Sequence, residues 1–219
     1  MRACLVVGLV SSTNFTGPAL AADLAGVCDL QDAELYLTPL GIPSGLPELE
    51  VMYGHFTTRE VYVNGAETQF TLSDRHLFME APRVKWLSSS KDEHAKYALL
   101  MVSPDWPERA IDGSMPGALG PRIYWLVLNA KSVASSGYAV FEYDAPAPRS
   151  GRHRYIFVLF EQLRPGDIGS FLGRGRDGFD VKGFIRANKE ALRPVAINFF
   201  YANSTLSDDP LEEDYDSEA

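Results

Sequence analysis

Cysteine is nearly missing: Cys4 and Cys28 are the only two in 219 residues. Cleavage after Ala21 would leave a single thiol, so no disulfide framework and no paired-cysteine metal site is expected. Histidine is also scarce, and His55, His76, His94 and His153 share no i, i+4 spacing, so neither a metal nor another cofactor is expected. No stretch approaches the roughly 20 consecutive apolar residues of a membrane-crossing helix. Basic residues are outnumbered, 20 Lys and Arg against 29 Asp and Glu. The excess is local, because Ser207 to Ala219 holds seven acids and no base. Such a run reads as a solvated, disordered tail that repels nucleic acid, which removes nucleic-acid binding from the expected functions.

What is present suits one β-rich domain. The composition, 46% hydrophobic with 18 Gly and 14 Pro, can bury one good core and is short for two. Residues 22–206 are expected to form that domain, with 207–219 as the acidic tail. Residues 1–21 carry one base, the short apolar run Leu5 to Val10 and the triplet Ala19-Leu20-Ala21, which fits a small-residue cleavage site. They read as a secretory signal, against the alternative of a frayed amino terminus in a cytoplasmic protein. Asn203-Ser204-Thr205 would accept a glycan on that route, and Tyr215 among acids would suit sulfation.

Along the chain, Asp32 to Leu37 reads as a helical turn or two and Pro39 to Pro47 as a loop. Thr57 to Val63 and Thr68 to Leu72 flank Asn64-Gly65, a tight-hairpin signal. Pro82 to Trp86 alternates as a half-buried strand does. Tyr97 to Val102, Trp125 to Leu128 and Tyr155 to Phe160 are continuous apolar runs, which suit strands covered on both faces. Val181 to Leu192 carries a helical stripe that Pro194 is expected to stop, and Val195 to Tyr201 reads as a last strand.

Four separated blocks carry a resemblance. Tyr97-Ala98-Leu99-Leu100-Met101-Val102-Ser103-Pro104-Asp105-Trp106-Pro107 looks like a strand followed by an Asp-Pro-Asp-x-Pro loop. Pro121-Arg122-Ile123-Tyr124-Trp125-Leu126-Val127 is similar to a His-Trp-Leu-Val strand. Pro146-Ala147-Pro148 with Gly151-Arg152-His153-Arg154-Tyr155 is close to a Pro-Pro and Gly-x-His-Arg-Tyr arrangement, and Phe179 to Ala196 resembles a last helix and strand. Together, over residues 82–202, they resemble the phosphatidylethanolamine-binding protein family.

The resemblance implies an all-β, two-sheet Greek-key sandwich with one or two short C-terminal helices. It also implies a pocket at one end for phosphate, a phospholipid head group or another small anion. Family members mostly bind and regulate, so no catalytic residue is expected. Carried over by position, the ligand-binding residues are His153, Tyr124, Ser103, Tyr155, Asp105 and Pro148, with Asp105 and Arg154 as a structural ion pair beside the pocket. Two positions depart from the pattern: Ser103 stands where the family has Asp, and Tyr124 where it has His. A hydroxyl keeps some hydrogen bonding of a carboxylate and none of its charge. The alternative is therefore a protein-interaction module with a vestigial pocket, such as a protease inhibitor or a scaffold, with a protein partner such as a protease or a kinase.

Two rival signals fall short. Gly173-Arg174-Gly175-Arg176-Asp177-Gly178 spells G-x-G-x-x-G but opens no helix and follows no βαβ pattern, so it reads as a flexible basic surface loop. Ser103, Asp105 and His153 suggest a hydrolytic trio without a nucleophile elbow or an oxyanion hole.

Overall fold

The computed structural model describes residues 30–54, 56–57, 78–86, 94–107, 119–148, 152–164, 168 and 175–203. Among them run helix α1 (Leu30–Leu37) and strands β1 (Glu50–Tyr53), β2 (Phe56–Thr57), β3 (Arg83–Lys85), β4 (Lys96–Ser103), β5 (Arg122–Ala130), β6 (Tyr138–Phe141) and β7 (Arg152–Gln162). Helix α2 (Val181–Ala187) and strand β8 (Leu192–Asn203) close the order. The strands form two sheets, β2-β1-β3 and β6-β5-β4-β7-β8, in which each neighbouring pair is antiparallel.

The continuous apolar runs form the middle of the larger sheet because both of its faces are covered. Leu100, Val102, Ile156 and Val158 pack with Leu37 of α1 and Phe184 of α2. The alternate residues Leu99, Met101, Tyr155 and Phe157 pack against Val51, Tyr53 and Val84 of the smaller sheet. Side chains alternate across a strand, so β4 and β7 serve two cores at once. β3 carries one buried residue, Val84, between exposed Arg83 and half-buried Lys85, the alternation of a strand with one wet face. The Asn64-Gly65 hairpin, the leader, both cysteines, Ser204 and Thr205 of the sequon and the acidic tail lie outside the described residues.

The last helix is shorter than its apolar stripe suggests. Asp180 caps α2 by accepting from the Gly183 amide at 2.8 Å, a contact worth about 1 kcal/mol. The helix ends at Ala187, where the Asn188 side chain donates to the Phe184 carbonyl at 2.8 Å. Leu192 and Pro194 then belong to β8, so Pro194 does not stop the helix. It is tolerated in that strand because β8 lies at the edge of the larger sheet, next to a register shift opposite Phe160.

Candidate functional site

The site lies where the C-terminal end of β4 meets the N-terminal ends of β5 and β7. Two polar clusters occupy it. In the first, the Asp105 carboxylate accepts three hydrogen bonds from Arg154: from the backbone amide at 2.7 Å, from Nε at 2.9 Å and from Nη2 at 2.7 Å. Both side chains are 0% exposed. Ser103 Oγ accepts from the Asp105 amide at 3.3 Å. Ser103, Asp105 and Arg154 thus form one lock that ties the loop after β4 to the start of β7.

The second cluster is aromatic. Tyr124 and Tyr155 meet edge to face with centroids 4.9 Å apart, and Tyr155 stacks on Phe200 at 5.3 Å. A change of register brings Tyr124 there. Met101 pairs with Trp125 but Val102 pairs with Ile123, so Tyr124 is the extra residue of a β-bulge. Bulges re-aim side chains, and Tyr124 consequently joins Trp125 on the inner face of the sheet. Its carbonyl accepts from the Asp144 amide at 2.9 Å and from Arg176 Nη1 at 3.1 Å.

His153 is buried two residues before Tyr155 and on the same face of β7, whereas Arg154 projects to the opposite face. Pro148 is half-buried in the segment 142–148. Apart from Pro148, the six candidate ligand residues are closed to solvent: Tyr124 is 2% exposed and Ser103, Asp105, His153 and Tyr155 are 0%.

The Tyr155 hydroxyl is sealed and makes no hydrogen bond of ordinary geometry. Its polar neighbours are the Tyr124 hydroxyl and the Ala147 backbone amide. Burial is the main cause raising the pKa of Tyr155 well above the ordinary phenol range. Burial also raises that of Tyr124, opposed by the neighbouring Tyr155 hydroxyl and by the positive charge of Arg122. Both phenols are therefore neutral hydroxyls at physiological pH.

Sequence reasoning passed over the residues above Tyr124. The Arg122 guanidinium lies 5.0 Å from the Trp106 ring centroid and 5.4 Å from that of Tyr124. Its Nη2 donates to Asp144 at 2.7 Å and its Nη1 to Asp177. The G-x-G-x-x-G segment is not wholly a loose loop: the Arg176 carbonyl accepts from the Ile123 amide at 2.9 Å, its Nη2 donates to the Glu142 carbonyl at 2.8 Å, and Phe179 N donates to Pro121 O at 2.8 Å. A charged residue at the start of an otherwise apolar strand was the one local hint of Arg122's role. Asp144 and Asp177 carry no local signal.

A family model described as phosphatidylethanolamine-binding protein matches residues 63–200. The chain belongs to the phosphatidylethanolamine-binding protein family. Protein CENTRORADIALIS of Antirrhinum majus is 29% identical over 159 residues, 67% of this chain and 82% of that protein. Two solved structures share the fold. One is a carboxypeptidase Y inhibitor complexed with its cognate proteinase, with TM-score 0.55 and 19% identity over 80% of this chain and 96% of that one. The other is a phosphatidylethanolamine-binding protein from Plasmodium falciparum, with TM-score 0.54 and 17% identity over 87% and 100%. The all-β, two-sheet architecture expected of the phosphatidylethanolamine-binding family is thus present, with one helix before the strands and one before the last of them. Among the described residues no group of His, Cys, Asp and Glu could hold a metal, and no helix is long and apolar enough to cross a membrane.

Proposed function

We propose that this chain is a non-catalytic binding and regulatory protein that takes a small anion, phosphate or a phosphorylated head group, between Tyr124, Tyr155 and His153. The observation that carries this reading is the sealed Tyr155 hydroxyl without a well-formed hydrogen bond. An unsatisfied buried hydroxyl costs about 1–3 kcal/mol, and a phosphate oxygen is an acceptor that would relieve it. The neutral phenols of Tyr124 and Tyr155 supply donors, the His153 imidazole is a further polar group on the same face, and Ser103 keeps its O–H available to donate. Asp105 is a positioning residue in this reading, since its oxygens serve Arg154. The same use of Asp105 argues against a hydrolytic trio, because a carboxylate held by an arginine does not orient His153. The leader-like residues 1–21 support a secretory route.

A second reading is the protein-interaction module with a vestigial pocket. It is favoured by the near-zero exposure of the pocket groups. Likeness to the proteinase-bound carboxypeptidase Y inhibitor makes a protease the partner class to assay first.

Calorimetric and thermal-shift titrations with inorganic phosphate, phosphoethanolamine and a short-chain phosphatidylethanolamine separate the two readings. A ligand that binds only the folded chain raises its stability by about 2.7 kcal/mol at a hundred times Kd. The expected result is stabilisation that is lost in Tyr155→Phe and His153→Ala. No stabilisation at millimolar ligand would leave the interaction module, to be assayed against a serine carboxypeptidase.

A further inference from the structure

We propose that Arg122 is the cation that recognises the anion, and that Asp144 and Asp177 hold it in reserve while the site is closed. This rests on the anion-pocket reading and adds to it the group that supplies charge. Relative to the family pattern, Ser103 and Tyr124 remove a carboxylate and an imidazole from the site. The phenols that remain can donate hydrogen bonds but carry no charge at neutral pH, so they give a phosphate dianion little electrostatic reason to enter. Arg122 is the positive group in contact with the Tyr124 ring, and Tyr124 in turn touches Tyr155.

The geometry suits exchange. A guanidinium offers five donors in a planar fork that matches two phosphate oxygens at once. Here that fork is divided, one nitrogen to each of two carboxylates. The Arg122 side chain is 19% exposed, that of Asp144 40% and that of Asp177 51%. Either carboxylate can therefore return to water at small cost when an anion replaces it, unlike Asp105, which has no water to return to. With both carboxylates in place the trio carries a net charge of −1, which opposes an anion and keeps the site shut. The favoured ligand is a dianionic phosphomonoester or inorganic phosphate, which can outcompete a single carboxylate for the fork. The guanidinium also lies over the Trp106 and Tyr124 rings, 5.0 Å and 5.4 Å from their centroids, and such cation–π contacts help to hold it beside the site.

The test is calorimetry with inorganic phosphate and with phosphoethanolamine on the full chain, comparing the wild type with Arg122→Gln, Arg122→Lys, Asp144→Asn, Asp177→Asn and Tyr155→Phe. Circular dichroism checks that each variant is folded. Arg122→Gln is expected to weaken binding about tenfold or more and to flatten its salt dependence. Arg122→Lys keeps the charge without the fork and should fall between. Asp144→Asn and Asp177→Asn each remove a competitor and should tighten binding severalfold. Unchanged affinity in Arg122→Gln, with loss in Tyr155→Phe, would overturn the role of Arg122 and leave the pocket reading intact. Weaker binding in both Asp variants would overturn the reserve mechanism. If neither the wild type nor the Asp variants bind either ligand, the pocket reading itself fails and this inference with it.

Discussion

Two arginines sit within one end of this sandwich, each held by carboxylate, and they behave as opposites. Arg154 and Asp105 are 0% exposed, meet at 2.7 Å through Nη2 and share two further hydrogen bonds to the same carboxylate. Arg122 divides itself between Asp144 and Asp177, both of which reach solvent. The difference teaches which pair is architecture. A fully desolvated pair is stable only while it is complete, because either partner left alone is a buried charge without compensation. A half-exposed pair has water as a substitute for each partner. The first therefore resists any change, and the second is free to exchange partners.

The largest effect should come from breaking the buried lock. Asp105→Ala removes the carboxylate that holds the buried Arg154 guanidinium and is expected to cost about 3–5 kcal/mol in a urea unfolding curve. Replacing both, Asp105→Leu with Arg154→Met, should recover a substantial part of that loss. A single-mutant cost below about 1 kcal/mol would place Arg154 in the same class as Arg122 and dissolve the contrast.

A smaller effect should appear in alkali. Burial is the largest cause raising the phenol pKa values of Tyr36, Tyr53, Tyr124, Tyr143 and Tyr155 above 10.0. The fold favours the neutral phenol, so the folded value exceeds the unfolded one. The corresponding stability is fully present below the unfolded value near 10 and is lost as pH rises towards and through the folded values. Urea midpoints should owe no loss to these groups between pH 7 and pH 9 and should fall above about pH 10. Tyr155→Phe removes one contributor and should reduce the fall. An equal fall in that variant would mean that Tyr155 is as free to ionise in the folded chain as in the unfolded one.

The strands were readable because burial on both faces leaves a continuous apolar run, as in Tyr97 to Val102 and Tyr155 to Phe160. The end of α2 was not, because the apolar stripe runs on through Leu192 while the helix is closed at Asn188 by a side-chain bond to Phe184. For the site, His153 and Tyr155 could be read together because they are two residues apart on one strand. The aim of Tyr124 could not, since it depends on a register shift between β4 and β5 that neither strand encodes alone. Arg122 was missed for the same reason at longer range: its partners lie 22 and 55 positions away, in segments whose own residues give no sign of where they dock.

The smallest expected effect sharpens the contrast from its other side. Asp144→Asn and Asp177→Asn each break an ion pair whose carboxylate is about half exposed, where Coulomb attraction is weakened by water and by salt. Each should lower stability by less than about 1 kcal/mol, and raising the salt should shrink that difference further. Asp105→Ala should show little such salt dependence, because a buried charge is screened far less. Unfolding curves for the three variants at low and high salt therefore measure the two arginine sites on one scale. A loss in Asp144→Asn as large and as salt-resistant as that in Asp105→Ala would make Arg122 a second structural lock, unable to release its carboxylates to an arriving anion.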